Sequence, residues 1–155
     1  MLEAAHIVET EARPAAIIRI TVPRAEIQRV MAPAIKELLD GLAAQGIAPA
    51  GPLYSYHLNT DAQTFDFELG IPVDAPVSAA GRIRASQIPA AKVLRTVYHG
   101  HYEGLYDAWK EFGHMLAATG HTRAQGGLWE SYVAGPESSP DPANWRTELN
   151  LPLAT

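Results

Sequence analysis

The sequence predicts an α+β fold made of two similar halves, and three observations predict it. Apolar residues change period along the chain, from alternation to three- and four-residue steps and back, twice over. Gly- and Pro-containing breaks separate these stretches at spacings that suit short strands and medium-length helices. Three short segments recur in the same order in both halves.

The elements follow in order. Ile7-Val8-Glu9-Thr10 and Ala15-Ala16-Ile17-Ile18-Arg19-Ile20-Thr21-Val22, the latter opened by Pro14, are β-branched and read as strands. After Pro23, Ile27, Val30, Met31, Ile35, Leu38, Leu39 and Leu42 mark one face of an amphipathic helix that Gly46 stops. Pro33 inside that pattern predicts a kink or a second helical segment. Leu53–Leu58 and Thr64–Leu69 read as a strand pair joined by the turn Asn59-Thr60-Asp61-Ala62-Gln63. Strands are predicted again at Gly81–Ile88 and Lys92–Tyr98. A helix then carries Leu105, Ala108, Trp109, Phe112 and Leu116 on one face, with Gly120 past its end. Leu128–Ala134 and Arg146–Leu151 complete the strands. The run Gly135-Pro136-Glu137-Ser138-Ser139-Pro140-Asp141-Pro142 between them is too rich in breakers to be one.

The repeat can be followed residue by residue. Pro14-Ala15-Ala16 returns as Pro89-Ala90-Ala91, Tyr54-Ser55-Tyr56 faces Glu130-Ser131-Tyr132, and Glu68-Leu69-Gly70-Ile71-Pro72 matches Glu148-Leu149-Asn150-Leu151-Pro152. Residues 1–155 thus read as one domain, a tandem duplication of βαββ units, each with a leading strand. The halves divide at about 1–76 and 77–155 and pack about a pseudo-twofold axis. Such an axis creates a seam, and seams are where small-molecule grooves form.

Composition narrows the function. Twelve Lys and Arg against seventeen Asp and Glu give a net charge of −5, the wrong sign for a direct nucleic-acid binder. The absence of cysteine excludes disulfides, thiolate chemistry and cysteine-based metal sites. No apolar stretch is long enough to span a membrane, and the N-terminus lacks a signal-peptide pattern, so a soluble cytoplasmic protein is expected. No cofactor motif is found. His99, His101 and His114 lack metal-ligand spacing, and a solvated turn explains the first two better. No Gly-x-Ser-x-Gly elbow is present, and Gly126-Gly127 falls far short of a phosphate loop.

The candidate site comes from strand alternation. Tyr54 and Tyr56 share a face, and the repeat places Glu130 and Tyr132 on the equivalent one, with Glu130 where the first copy has Tyr54. A carboxylate inside Leu128-Trp129-Glu130-Ser131-Tyr132-Val133 is out of place in an enclosed strand unless something compensates its charge. Tyr98 and Tyr102, at the strand end and helix start, reach the groove rim. Each residue also has a plainer reading. Glu130 fits a surface or salt-bridging carboxylate, the tyrosines fit core packing, and Trp109 reads as core. Trp129, opposite Glu130, reads as packing against a helix. Repetition of Glu68 as Glu148 points to a structural duty.

Four motifs add a resemblance: Phe67-Glu68-Leu69-Gly70-Ile71-Pro72-Val73, His99-Gly100-His101-Tyr102-Glu103-Gly104-Leu105, Trp129-Glu130-Ser131-Tyr132, and Trp145-Arg146-Thr147-Glu148-Leu149-Asn150-Leu151-Pro152. In this order the chain resembles the GyrI-like small-molecule-binding domain, also found as the effector-binding part of multidrug-sensing regulators. The resemblance implies two SHS2-type βαββ modules with a groove between them. It also implies that Glu130, beside Tyr132, receives lipophilic cations. The resemblance further implies an alternative, since some stand-alone members of the family are hydrolases of strained cyclopropane-containing toxins that use the same glutamate and tyrosines. No helix-turn-helix precedes the domain, so direct DNA binding is not expected.

Three functions stay open on the sequence. The first is a stand-alone binder of hydrophobic, aromatic, cationic molecules through Glu130, Tyr54, Tyr56, Tyr132, Tyr98 and Tyr102. The second is a hydrolase with Glu130 as general base and Tyr132 as proton donor. The third is a protein-interaction module such as a gyrase inhibitor, and a homodimer or other protein partner is compatible with each.

Overall fold

A computed structural model describes residues 1–59 and 63–154, so residues 60–62 of the expected turn lie outside the described residues. The described elements are β1 (His6–Thr10), β2 (Arg13–Pro23), α1 (Ile27–Ala44), β3 (Tyr54–Asn59), β4 (Thr64–Pro72), β5 (Ile83–Ile88), β6 (Ala91–His99), α2 (Leu105–Thr119), β7 (Leu128–Ala134) and β8 (Arg146–Pro152). The α+β class and the order of helices and strands are as the periodicity predicts. Pro33 does not divide α1, which continues through it as one element. There Pro33 is exposed, so the carbonyl it leaves without a helical partner is on the solvent side.

The chain forms two compact units, one of residues 11–90 and one of residues 1–10 with 91–155. In the first unit the strand order is β3-β4-β2-β5, all antiparallel. The inward residues Ala16, Ile18, Ile20, Phe67, Leu69 and Ile71 pack with Ala34, Leu38 and Leu42 of α1. In the second unit the order is β7-β8-β6-β1, again antiparallel. Leu94, Tyr98, Leu128, Leu149 and Leu151 meet Ala108, Phe112 and Leu116 of α2. Gly120 closes α2 in the left-handed conformation, where a side chain would be strained.

The units do not coincide with the halves 1–76 and 77–155. Each leading strand pairs in the other half: β1 hydrogen-bonds to β6, and β5 to β2. Backbone pairing decides this, because a strand's free edge is satisfied by whichever partner reaches it.

Pairing also corrects the internal alignment. Leu69 stands across from Ser55, and Leu149 across from Glu130. A bulge follows His57 in β3 and Tyr132 in β7. By this register Glu130 is the counterpart of Ser55, and Trp129 that of Tyr54. The match of Tyr54-Ser55-Tyr56 to Glu130-Ser131-Tyr132 is therefore one residue out. The Pro-Ala-Ala match fails as well, since Ile17 pairs with Gly70 while Arg95 pairs with Asn150. Only the Glu68–Pro72 and Glu148–Pro152 segments keep their alignment. A one-residue slip carries every side chain to the other face of a strand.

Candidate functional site

Strand β7 sets the site in the second unit. Leu128, Glu130 and Tyr132 alternate onto the face that meets α2, and Trp129 and Ser131 onto the other. Trp129 therefore does not pack against the helix as expected; it is buried on the face away from α2, where Asn150 stands across from it. Leu128 anchors the strand in the apolar core, and the neighbouring inward position holds Glu130, only 8% exposed.

The Glu130 carboxylate has a donor on each oxygen. The indole N–H of Trp109 donates to Oε1 at 2.7 Å, and the Tyr132 hydroxyl donates to Oε2 at 3.0 Å. Both donors are neutral, and Glu130 forms no salt bridge among the described residues. Trp109, expected to be core, thus brings its indole N–H to the site from the half-buried edge of α2's apolar face.

Aromatic rings continue from Tyr132. Its ring meets Tyr102 edge-on at 5.7 Å, Tyr102 lies 5.1 Å from Trp145, and His101 stacks on Trp145 at 5.3 Å. The Trp145 indole N–H is bonded to the Ser139 carbonyl at 2.8 Å, which fixes that ring to the breaker-rich loop. Burial, then the Glu137 and Glu130 carboxylates, push the Tyr102 phenol above its ordinary range, so it stays a neutral hydroxyl. Gly135 leaves room for this geometry: a Cβ there would sit 2.5 Å from the Tyr102 hydroxyl, so the ring would have to shift.

The structure brings Glu130, Tyr132 and Tyr102 into one cluster. Tyr98 lies in the α2-facing core, and its hydroxyl donates to the His101 carbonyl at 2.9 Å, tying down the turn that carries Tyr102. Tyr54 and Tyr56 belong to the first unit, on the face of β3 away from α1, with Ala15, Ile17 and Ile88. They do not occupy the face equivalent to that of Glu130, because of the one-residue slip. Tyr54 is 1% exposed and its hydroxyl has no partner among the described residues. Burial, and secondarily Glu68, push that phenol far above its usual range. Glu68 and Glu148 serve local polar contacts: Ser86 donates to Glu68, and Arg95 and Asn150 meet Glu148.

Sequence reasoning missed Trp145, His101 and Thr147 as neighbours of the site. Thr147 had a signal. It is a polar residue in phase with Leu149 and Leu151 on an inward strand face.

The first unit offers a hollow of about 470 Å³ flanked by Arg19, Arg29 and Arg82. Each guanidinium there already meets a carboxylate, Asp66, Glu26 and Glu37 respectively. The buried, unmatched charge lies at Glu130 instead. No group of three His, Asp or Glu side chains among the described residues is placed to hold a metal, and no helix among them is long and apolar enough to cross a membrane.

Comparison with known proteins agrees with this architecture. The EcmrR C-terminal domain superposes with a TM-score of 0.86 at 20% identity, covering 98% of both chains. Against EcmrR in its DNA complex the TM-score is 0.82 at 22% identity, and the present chain, 98% of it covered, spans 57% of that one. SAV2435 bound to tetraphenylphosphonium gives 0.67 at 12% identity, covering 98% of this chain and 94% of that one. A hydrolase from Listeria innocua gives 0.67 at 11% identity, covering 97% and 91%. At these identities the likeness is one of fold. No curated protein sequence matches the chain. The sequence itself matches the GyrI-like small molecule binding domain over residues 4–154, and with the fold in agreement the chain belongs to that family.

Proposed function

We propose that the chain binds lipophilic organic cations at the Glu130 cluster. One observation carries this reading: a buried carboxylate, held by two neutral donors and lacking a cationic partner among the described residues, faces a row of aromatic rings. A buried charge without a counterion is costly, and an organic cation supplies the missing charge. The rings of Tyr132, Tyr102 and Trp145 add cation–π attraction, each worth about 0.5–2 kcal/mol. The fold neighbour SAV2435, bound to tetraphenylphosphonium, supports this ligand class. A net charge of −5 supports a role in which this chain senses or sequesters a ligand without touching DNA, and the lack of cysteine suits the cytoplasm.

The test compares tetraphenylphosphonium with neutral triphenylphosphine oxide, read by quenching of tryptophan fluorescence. Glu130→Gln keeps the shape and removes the charge. We expect it to weaken the phosphonium by about ten- to a hundredfold, or ~1–3 kcal/mol, and the neutral probe by far less. Equal losses would reject the electrostatic role, and no binding to the unaltered protein would favour a protein-interaction module.

The direct Tyr132–Glu130 hydrogen bond favours hydrolysis as a second reading, with a fold neighbour described as a hydrolase beside it. Glu130 would take a proton from water as its oxygen attacks a cyclopropane carbon conjugated to a carbonyl. The C–C bond electrons pass to that carbonyl oxygen, which takes the Tyr132 proton, and Tyr132 recovers one from Glu130. Turnover of such an electrophile at an unchanged rate by Glu130→Gln would rule this out.

The two βαββ segments are further read as copies of one SHS2-type unit. Their common strand order and the common bulge after His57 and Tyr132 support that reading.

A further inference from the structure

Thr147 lies on β8 directly across from Tyr132 on one side and from Tyr98 on the other. It shares the α2-facing side with Leu149, and thus with Glu130, which stands across from Leu149. Its residue exposure is 0%, and its Oγ1 has no hydrogen-bond partner among the described residues. Neither flanking tyrosine serves it, since Tyr98 donates to the His101 carbonyl and Tyr132 to Glu130. Buried hydroxyls are nearly always paired, because one left unpaired loses its bonds to water and gains nothing. By register the corresponding residue of the first unit is Phe67, an apolar core ring stacked on His57. Where one unit fills this position with an aromatic ring, the other has a small side chain and an unused hydroxyl beside the candidate site.

We propose that Thr147 is a specificity-determining residue, whose hydroxyl bonds to an oxygen of the ligand. The inference rests on the cation-binding reading and deepens it. The preferred ligands are cations that also carry a hydroxyl or carbonyl group, ahead of purely hydrocarbon cations. Two residues of strand separate the Glu130 and Thr147 levels, so the oxygen lies about 7 Å from the cationic centre. Tyr132 is half-buried over the same register position. A cation that takes the hydroxyl's place on the carboxylate turns the Tyr132 ring so that it lies against the cation and uncovers Thr147.

Two probes of nearly equal shape test this: tetraphenylphosphonium and [4-(hydroxymethyl)phenyl]triphenylphosphonium. The second carries its oxygen at about the required span. The unaltered protein is expected to bind the hydroxymethyl probe about tenfold more tightly. Thr147→Val, equal in shape but without the hydroxyl, should abolish that preference while leaving tetraphenylphosphonium within about twofold. Thr147→Ser should keep it. A preference that survives Thr147→Val, or equal weakening of both probes, overturns the proposal. If Thr147→Val does not fold, lack of preference in the unaltered protein or in Thr147→Ser overturns it just as well. Binding of both probes without preference defeats this inference alone, whereas binding of neither defeats the cation-binding reading with it.

Discussion

Trp109 and Tyr132 are the only groups among the described residues that hydrogen-bond to Glu130, so stability and binding meet at this carboxylate. Trp109→Phe keeps most of the ring and removes the donor to Oε1. It should lower the free energy of unfolding by about 1–3 kcal/mol in urea titrations, because a buried carboxylate oxygen loses its bond. The loss should shrink in the Glu130→Gln background, where no charge is left to solvate; equal losses in both backgrounds would show that Trp109 acts by packing alone. Glu130→Gln by itself should not lower the urea midpoint of the ligand-free protein, since the amide removes a buried charge. A clear fall would mean that the carboxylate is a stabilising structural group and would weaken its assignment to a ligand. Glu130 and Tyr132 were legible in the sequence as a misplaced charge beside an aromatic residue. Trp109 was not, because one residue on the apolar face of a helix has the same spacing whether its indole N–H is used or idle.

At the scale of elements, strand type was legible and strand register was not. Alternation identified β3 and β7 independently of their partners, but the bulges after His57 and Tyr132 appear only once each strand is paired. That register carries Tyr54 to the face away from α1, against Gly70 on β4. An added Cβ at Gly70 would lie 2.5 Å from the Tyr54 ring, so Gly70→Ala forces that ring out of its place. A loss of about 1–3 kcal/mol is expected from overpacking at this buried contact. The check is chemical denaturation, and an unchanged midpoint would mean that Tyr54 has room to move.

For the whole molecule, the exchange of leading strands has a direct consequence. Glu3 is bonded to Val97 through its backbone N–H and accepts from the Thr96 hydroxyl at 2.6 Å, and β1 runs the length of β6 beyond them. Removing residues 1–10 should therefore speed hydrogen exchange chiefly at amides 91–99. Enhanced exchange confined to β2 would instead restore the boundary near residue 76. Charge adds a pH dependence in the first unit. Hydrogen bonds from Arg19 and Thr21 together hold the Asp66 carboxyl below its ordinary range, the Arg19 bond contributing most. A depressed folded-state pKa stabilises above the unfolded value, about 3.9, and that contribution is lost as pH falls through the folded one. Asp66→Asn should thus reduce the stability lost between pH 7 and pH 3 by less than about 1 kcal/mol, given the exposure of the pair. A larger effect would show coupling beyond Arg19 and Thr21.

By itself the sequence determined the kinds of element and their order, because helical and strand periods are local properties of residues a few positions apart. It also carried the family, through four motifs in a fixed order. Only the tertiary structure decided which strand each leading strand joins, and which face Tyr54 and Glu130 occupy. Those depend on backbone hydrogen bonds between residues tens of positions apart, and a shift of one residue reverses them. Thr147 shows the same division. Its inward phase was written in the alternation of β8, while the lack of a partner for its hydroxyl among the described residues became visible only in the folded chain.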